Sequence, residues 1–287
     1  GTREEDFVEH LFVSSTHSYI LVFTNTGRLY WLKVYEIPDA AASAKGKAVQ
    51  SLVALQQGEE VRAMLPIKDL ESETEFVVMI TRSGTIKKTP VKDFSNPMAR
   101  GIIAMGVDKG DELVKAKLSD GKSEIFLATH EGQGIRFLES DVRPMGRTAF
   151  GVRGMKLDAG DFIVGMEVAG DPSQLVLSVT EAGYGKRTAL EEYRLQSRGG
   201  SGVINVKTTA RNGKVVAVMA VSEAPEVMII SQQGKIIRCG SSSIREVGRA
   251  SQGVRILRLE EGDQVAAASV LPPEEAEGNG EPPLPLQ

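Results

Sequence analysis

The feature that most limits how this chain can fold is a repeat of about 50 residues. Five segments place a glycine directly after a run rich in valine and isoleucine, as in FVVMITRSGTI and VMIISQQGKII. These glycines are separated by 57, 48, 51 and 51 residues: Gly27, Gly84, Gly132, Gly183 and Gly234. A second glycine follows 17 or 19 residues later: Gly46, Gly101, Gly151, Gly202 and Gly253. A period of this length predicts an array of similar supersecondary units.

A third turn completes the pattern of each copy. It contains Gly58, Gly110, Gly160, Gly213 and Gly262. Short β-branched runs stand between these landmarks, as in GVRILRL and DFIVGMEV, and such runs favour strands over helices. Four strands in about 50 residues are typical of one propeller blade. The sequence therefore predicts an all-β, propeller-like fold.

Five blades are predicted along most of the chain. Their approximate bounds are 11–64, 65–117, 118–168, 169–221 and 222–270. The two ends are acidic: residues 1–10 carry a charge of −3 and residues 271–287 a charge of −4, which leaves +3 between them. The last segment also contains five prolines, a composition typical of a disordered tail.

Basic residues recur at fixed places in the repeat. One set lies at or next to the position four residues after the first glycine, or two residues beyond it in the first unit, and comprises Lys33, Lys87, Lys88, Arg136, Lys186, Arg187 and Arg238. A second set surrounds the second glycine, and comprises Lys45, Lys47, Arg100, Arg147, Arg153, Arg198, Arg249 and Arg255. Equivalent residues of successive blades occupy equivalent places in the array. The two sets are therefore predicted to form a basic belt, with Lys88, Arg136, Arg187 and Arg238 on exposed strand faces.

A belt of lysine and arginine on a convex rim matches a curved polyanion. Contacts with phosphates release counterions and provide affinity that does not depend on sequence. No helix suited to the major groove is predicted, so the expected partner is double-stranded DNA bound without sequence specificity. Two alternatives remain open: basic residues that only protect exposed strand edges from aggregation, and a protein-interaction propeller.

No catalytic constellation accompanies these cations. The segment GYGKRT lacks the spacing of a phosphate-binding loop, and His10, His17 and His130 lack metal-ligand spacing. Cys239 is predicted to be a small strand residue, and Trp31 to pack on the blade surface. No apolar run is long enough for a membrane helix. We expect a cytoplasmic, non-catalytic binding module without a cofactor or a membrane partner.

The sequence also resembles a known family, the C-terminal domain of the bacterial DNA gyrase A protein. The segments REEDFVEHLFVSSTHSYILVFTNTGRLYWLKVYEIP, GYGKRTALEEY and VGRASQGVRIL carry the likeness, which extends over about residues 2–270. The resemblance implies a β-pinwheel, in which neighbouring blades exchange a strand. It implies that DNA wraps around the basic rim, and that gyrase B and the remainder of gyrase A complete an ATP-dependent type II topoisomerase in the bacterial nucleoid.

Two features depart from that family's pattern. Members usually have six blades, whereas five are predicted here, and they carry a box of the form Q-R-R-G-G-K-G just before a segment like GTREEDF. The resemblance therefore predicts a further blade and its box upstream. The stretch QSRGGSG at 196–202 resembles a degenerate box in which serine replaces two cations. An alternative is the equivalent C-terminal domain of topoisomerase IV, which often has five blades and lacks the box.

Overall fold

The repeated glycine turns close antiparallel hairpins. In the computed structural model, which describes residues 14, 17–38, 48–221 and 226–271, each first glycine follows one strand of a hairpin and has a positive φ. The hairpin strands are β1 (Tyr19–Thr24) with β2 (Arg28–Lys33), β4 (Phe76–Thr81) with β5 (Thr85–Pro90), β8 (Glu124–Thr129) with β9 (Gln133–Leu138), β12 (Leu175–Thr180) with β13 (Tyr184–Ala189), and β16 (Glu226–Ser231) with β17 (Ile236–Gly240). Every strand that was predicted around a first glycine is present.

One long strand flanks each hairpin on its first strand. These strands are β3 (Val61–Ile67), β7 (Leu113–Ser119), β11 (Ile163–Ala169), β15 (Val215–Val221) and β19 (Val265–Leu271). Consecutive members of this set contact each other, β3 with β7, β7 with β11, β11 with β15 and β15 with β19. They form the inner edges of the sheets, and the sheets follow one another in chain order.

A two-residue strand flanks the hairpin on its other side. These outer strands are β6 (Ile102–Ile103), β10 (Val152–Arg153), β14 (Val203–Ile204) and β18 (Val254–Arg255). Each belongs by sequence to one unit but pairs with the hairpin of the preceding unit. The strand exchange that the resemblance implied is therefore present, and a blade is not a continuous span of the chain.

Five antiparallel sheets result from this exchange. We number them from the N-terminus as sheet 1 (β3-β1-β2-β6), sheet 2 (β7-β4-β5-β10), sheet 3 (β11-β8-β9-β14), sheet 4 (β15-β12-β13-β18) and sheet 5 (β19-β16-β17). The fifth has three strands in the described part of the chain. Short 3₁₀ turns connect the elements, at Val34–Glu36, Val49–Ser51, Val91–Phe94, Glu139–Asp141, Leu190–Glu192 and Ser241–Ser243.

The core lies between the faces of successive sheets. In β4, Val77 and Met79 pack with residues of sheet 1, whereas Val78 and Ile80 pack with residues of sheet 3. Both faces of this strand are buried, which explains why the first hairpin strands are continuous apolar runs rather than alternating ones. The interfaces between sheets thus supply the hydrophobic stabilisation of the array.

Several sequence-based predictions concern residues outside the described part of the chain. They are the acidic segment 1–10, Lys45, Lys47, His10 and most of the tail, of which Leu271 alone is described, as the last residue of β19. No helix in the described part of the chain is long and apolar enough to cross a membrane.

Candidate nucleic-acid interface

A loop that we call the rim segment connects each hairpin to the outer strand of the preceding sheet, and we name the segment after that preceding sheet. The four rim segments are residues 91–106, 139–156, 190–207 and 241–258, and each contains a 3₁₀ turn, an outer strand and the first residues after it. Each segment crosses from its own unit to the preceding sheet. Its residues therefore lie at the outer edge of the array, on the side opposite to the inner strands.

The second glycine of the repeat allows the rim segment to approach the preceding hairpin. Gly151 has a φ of +107° and Gly202 a φ of +76°. A Cβ atom at Gly151 would lie 2.4 Å from the carbonyl oxygen of Ile86, and one at Gly202 would lie 2.3 Å from that of Gly134. Both the backbone conformation and the contact distance require glycine. The outer strand is consequently held directly against the hairpin.

The rim segments of sheets 2, 3 and 4 place the same exposed cations in equivalent positions. Eight residues before the second glycine stand Arg143, Arg194 and Arg245, and all three are exposed. Five residues after that glycine stand Lys156, Lys207 and Arg258, which are exposed as well. The sequence-based prediction missed both rows because they stand further from the second glycine than the basic residues that it considered, although their constant distance from that glycine in three units would have revealed them.

The side chains of these two rows have no internal partner. Among the described residues, none of the six makes a hydrogen bond or an ion pair through its side chain: Arg143, Lys156, Arg194, Lys207, Arg245 and Arg258. Arg153 and Arg255, both predicted, add exposed cations on the outer strands of sheets 2 and 4. Arg100 is the exposed cation next to the second glycine in the rim segment of sheet 1. The six groups of the two rows are available to a ligand without first breaking an internal contact.

Three predicted arginines occupy one further row, four residues before the second glycine. Arg147, Arg198 and Arg249 are half-buried. Arg198 donates hydrogen bonds to the carbonyl oxygens of Asp141 (2.9 Å) and Arg153 (3.0 Å), and Arg249 donates one to that of Ile204 (2.9 Å). These two guanidinium groups thus bind one rim segment to the preceding one.

The stretch that resembles a degenerate box forms part of this connection. The N–H of Gly199 donates to the carbonyl oxygen of Gly154 (2.7 Å), and the N–H of Lys156 donates to that of Gly200 (2.9 Å). Its glycines therefore permit backbone contact between the third and fourth units. Arg198, its only cation, is engaged by carbonyl oxygens and is only partly exposed.

The cations of the first set are less exposed than the sequence predicted. Lys88 is buried and its ammonium lies 3.4 Å from the Glu139 carboxylate. Arg136 makes a bidentate ion pair with Glu124, at 2.6 and 3.0 Å. The prediction that both lie on exposed strand faces is wrong, because the next rim segment covers this face of the hairpin and a carboxylate lies beside each cation.

The other members of the first set differ among themselves. Arg187 is partly exposed and donates to the carbonyl oxygen of Ile244 (2.7 Å). Arg238 is exposed, as predicted, and forms an ion pair with Glu226. Lys33 is partly exposed beside Glu36, at 3.6 Å, and Trp31 is half-buried with its indole N–H donating to Phe94.

Lys87 and Lys186 are fully buried at equivalent positions of β5 and β13. The Lys87 ammonium donates to the carbonyl oxygen of Ala104 at 2.6 Å and to that of Arg147. The Lys186 ammonium donates to the carbonyl oxygen of Asn205 at 2.6 Å. Burial lowers the pKa of both lysines to about 8. Neither ammonium can contact a ligand at the surface.

Other titratable residues of the described chain do not assemble into a reactive site. No group of three or more histidine, cysteine, aspartate or glutamate side chains is arranged to hold a metal ion within the described residues. His130 stacks on Phe162 with the ring centroids 4.4 Å apart, and Cys239 is a half-buried residue of β17. The rim is thus the surface whose chemistry is repeated.

The fold and the rim define a class of protein: a propeller-like array of strand-exchanged sheets with cations along its outer edge. The family model described as "DNA gyrase C-terminal domain, beta-propeller" matches five times, at residues 18–68, 75–120, 123–169, 174–222 and 225–272. The chain belongs to this family, as the resemblance indicated.

Curated relatives agree with this assignment. The chain is 44% identical to the DNA gyrase A protein of Klebsiella oxytoca over 265 residues, which is 92% of this chain and 30% of the relative. It is 43% identical to the corresponding protein of Staphylococcus aureus (strain NCTC 8325) over 278 residues, 96% of this chain and 31% of the relative. The chain thus spans about a third of the length of these relatives.

Two solved structures are similar over most of the chain. A DNA gyrase A C-terminal domain aligns with a TM-score of 0.78 and 28% identity, covering 89% of this chain and 83% of that one. The C-terminal domain of a DNA topoisomerase IV aligns with a TM-score of 0.82 and 27% identity, covering 89% and 80%. The chain is therefore a domain of the gyrase and type II topoisomerase group.

Proposed function

We propose that this domain binds double-stranded DNA without sequence specificity along its rim segments and bends it around the outer edge. The observation that carries the proposal is the recurrence of exposed cations without internal partners among the described residues, three in each of two rows: Arg143, Arg194 and Arg245, and Lys156, Lys207 and Arg258. Each phosphate that such a cation contacts releases counterions. Several contacts along a convex edge offset the elastic energy of bending DNA.

The wider role that we propose follows from the family. In a complete enzyme that contains gyrase B and the rest of gyrase A, a bent DNA segment would be presented for ATP-dependent strand passage and negative supercoiling. We propose no catalytic step and no cofactor for this domain, which acts by holding DNA in a curved path. Its expected location is the bacterial cytoplasm, with the nucleoid.

The experiment compares two triple charge reversals with wild type by measuring log K for duplex DNA against log salt. R143E R194E R245E changes one rim row, and K68E K109E K122E changes three exposed lysines outside the rim segments by the same net charge. Loss of three phosphate contacts lowers the magnitude of the slope by about 2.7, since each contributes about 0.9. The control should alter the slope by less than one contact. Equal effects of the two variants, or a flat wild-type slope, would contradict the proposal.

The degenerate box suggests a limit to what this chain does alone. A stable wrap must hold the DNA ends, and Arg198 is engaged by carbonyl oxygens rather than presented to a ligand. We propose that the chain binds DNA but traps little writhe. The test seals nicked circular DNA with ligase while protein is bound, and compares this chain with a longer gyrase A segment that includes the box. The longer segment should trap more positive writhe.

Substitutions within the stretch provide the matched test. S197R S201K restores the two cations of the box pattern in the fourth unit, yet it should not restore the wrap because that unit lies between others in the array. If the 287-residue chain alone traps as much writhe as the longer segment, the stretch itself does the work of a box. The sign of the writhe also separates a gyrase-type from a topoisomerase-IV-type domain, and absence of DNA binding would favour a protein-interaction propeller.

A further inference from the structure

Two buried lysines occur in alternate sheets. Lys87 in sheet 2 and Lys186 in sheet 4 stand three residues after the first glycine of their units. The equivalent residue is Tyr30 in sheet 1, Ile135 in sheet 3 and Ile237 in sheet 5. The repeat therefore folds with an apolar or aromatic side chain at this position, and packing alone does not require an ammonium group there.

Each ammonium joins three segments of the chain. The Lys186 ammonium donates to the carbonyl oxygen of Asn205 (2.6 Å), which follows the outer strand of its own unit, and to those of Gly248 (3.1 Å) and Arg249, which lie in the next rim segment. Lys87 repeats the arrangement with Ala104 (2.6 Å) and Arg147. No carboxylate lies within ion-pair distance of either ammonium among the described residues. The hydrogen bonds of these ammonium groups thus go to backbone carbonyl oxygens at the rim.

The held backbone belongs to the rim segments along which DNA is proposed to bind. Lys87 binds the carbonyl of Arg147, and the Arg147 guanidinium has no hydrogen-bond or ion-pair partner among the described residues. In the other unit, Lys186 and Glu192 hold the same residue, because the Glu192 carboxylate accepts the N–H of Arg249 at 2.8 Å. The lysines therefore fix the backbone from which two rim arginines extend.

Alternate sheets also differ at the outer strand. The exposed second residue of that strand is Arg153 in sheet 2 and Arg255 in sheet 4. In sheets 1 and 3 the corresponding residues are Ile103 and Ile204, which are 45% and 42% exposed. A buried lysine and an outer arginine thus occur together in sheets 2 and 4, and sheets 1 and 3 carry other residues at both positions.

We propose that Lys87 and Lys186 are positioning residues that fix the rim segments of sheets 2 and 4, so that these two sheets are the rigid anchors of DNA on the rim. This proposal rests on the proposed DNA-binding function. The lysines do not touch DNA. They restrict the motion of the loops that carry Arg147, Arg153, Arg249 and Arg255, so that less conformational entropy is lost when DNA is bound.

The test variant is K87I K186I, which introduces the residue that sheets 3 and 5 carry naturally at this position. The matched control is K109I K122I, which removes two exposed positive charges outside the rim segments. Two measurements are made on the 287-residue chain: log K for duplex DNA against log salt, and amide hydrogen exchange of the rim segments without DNA.

The test variant should lose two phosphate contacts, which lowers the magnitude of the salt slope by about 1.8 and weakens binding about 60-fold in about 0.1 M salt. Amide exchange should accelerate in residues 146–151 and 247–252, and beside the Ala104 and Asn205 carbonyls that the lysines also bind, but not in residues 190–201 of the rim segment of sheet 3. The control should retain the wild-type slope and exchange rates. A folded K87I K186I protein with the wild-type slope and wild-type exchange in both segments would overturn the proposal.

Single substitutions keep the test decisive if the double variant does not fold. K87I should accelerate exchange in 146–151 and beside Ala104 but not in 247–252. It should also weaken protection of sheet 2 from hydroxyl radicals when DNA is bound, with the protection of sheet 4 unchanged. A uniform loss along the whole rim would contradict positioning. If wild type itself does not bind DNA, the proposed function fails, whereas the exchange measurement still decides whether the lysines hold the rim segments.

Discussion

Sheets 2 and 4 differ from sheets 1 and 3 in spite of a common backbone. All four accept an outer strand from the next unit in the same register, but only sheets 2 and 4 combine a buried lysine with an exposed arginine on that strand. In sheets 1 and 3 the outer residue is an exposed isoleucine. The comparison teaches that strand exchange determines where a rim residue lies, whereas the side chains of individual units determine whether that place carries an exposed positive charge.

The largest expected effect is a loss of stability on substitution of the second glycine, which both kinds of sheet share. Gly151→Ala in sheet 2 and Gly202→Ala in sheet 3 should each destabilise the fold by about 3 kcal/mol or more, because a positive φ is combined with a clash against a carbonyl oxygen. Gly160→Ala, also at a positive φ but with no atom within 4 Å of its Cβ, should cost about 1–2 kcal/mol. Urea unfolding measures all three. Similar losses at Gly160 and Gly151 would mean that the close approach of the outer strand is not needed.

The next largest effect separates the two kinds of sheet. R153A R255A removes the exposed arginines of sheets 2 and 4 and should lower the magnitude of the salt slope for duplex DNA by about 1.8, with roughly 60-fold weaker binding in about 0.1 M salt. I103A I204A trims the corresponding residues of sheets 1 and 3 and should leave the slope unchanged. Isothermal or fluorescence titration over a range of salt concentrations provides the comparison. Equal slopes for the two variants would remove the distinction between the sheets.

A smaller change in the salt slope is expected when arginines are introduced into the sheets that lack them. I103R I204R places an arginine on the outer strand of sheets 1 and 3, where Tyr30 and Ile135 stand in place of the buried lysines. The increase in salt slope should be less than the loss caused by R153A R255A, because the loop before the second glycine of these rim segments is not held by a lysine as it is in sheets 2 and 4. Lys87 and Lys186 contact these rim segments after the outer strand, at the carbonyl oxygens of Ala104 and Asn205. An increase of about 1.8 or more would indicate that exposure alone, without positioning, determines binding.

The last prediction concerns a pH dependence of stability. In the folded protein the pKa of Lys87 and Lys186 is about 8, lowered mainly by burial, whereas the ordinary value is 10.5. Asp93 and Arg147 act on Lys87, and Glu192 and Arg249 act on Lys186. Between these pH values the unfolded chain binds more protons, so the unfolding free energy of wild type should rise with pH.

The measurement is urea unfolding of wild type and K87I K186I at about pH 7 and about pH 9.5, which lie on either side of the folded-state pKa. The cost of burying two charged ammonium groups is present at the lower pH and diminishes above a pH of about 8, so wild type should gain stability relative to the variant at the higher pH. Because the folded-state pKa is about 8 for both lysines, Lys87 and Lys186 should contribute about equally to the gain. A difference between wild type and the variant that does not change with pH would contradict this explanation.

Much of the fold could be predicted because the regular spacing of the glycines reveals the repeat. A glycine after each β-branched run requires a turn, and the structure has a hairpin at every one. The residues after the second glycine were correctly predicted to be strands. Their pairing partner was not visible in the pattern, because a two-residue strand such as Val152–Arg153 is equally compatible with its own sheet and with the preceding one.

The candidate site was predicted less completely. Counting from the first glycine led to Lys88 and Arg136, both of which have carboxylate partners inside the structure. Arg153 and Arg255, found from the second glycine, are exposed on the outer strands as a rim requires. The more exposed rows represented by Arg143 and Lys156 were missed because they stand further from either glycine.

The sequence by itself determined the period, the turns and the strand segments, since these depend on local backbone preferences and on the order of apolar residues along the chain. It also determined that each unit would carry cations near its second glycine. Only the tertiary structure decided which of those cations reach solvent. Exposure depends on whether a neighbouring unit covers the residue. The rim segment that covers Lys87 and Lys88 lies some 50 to 60 residues later in the chain.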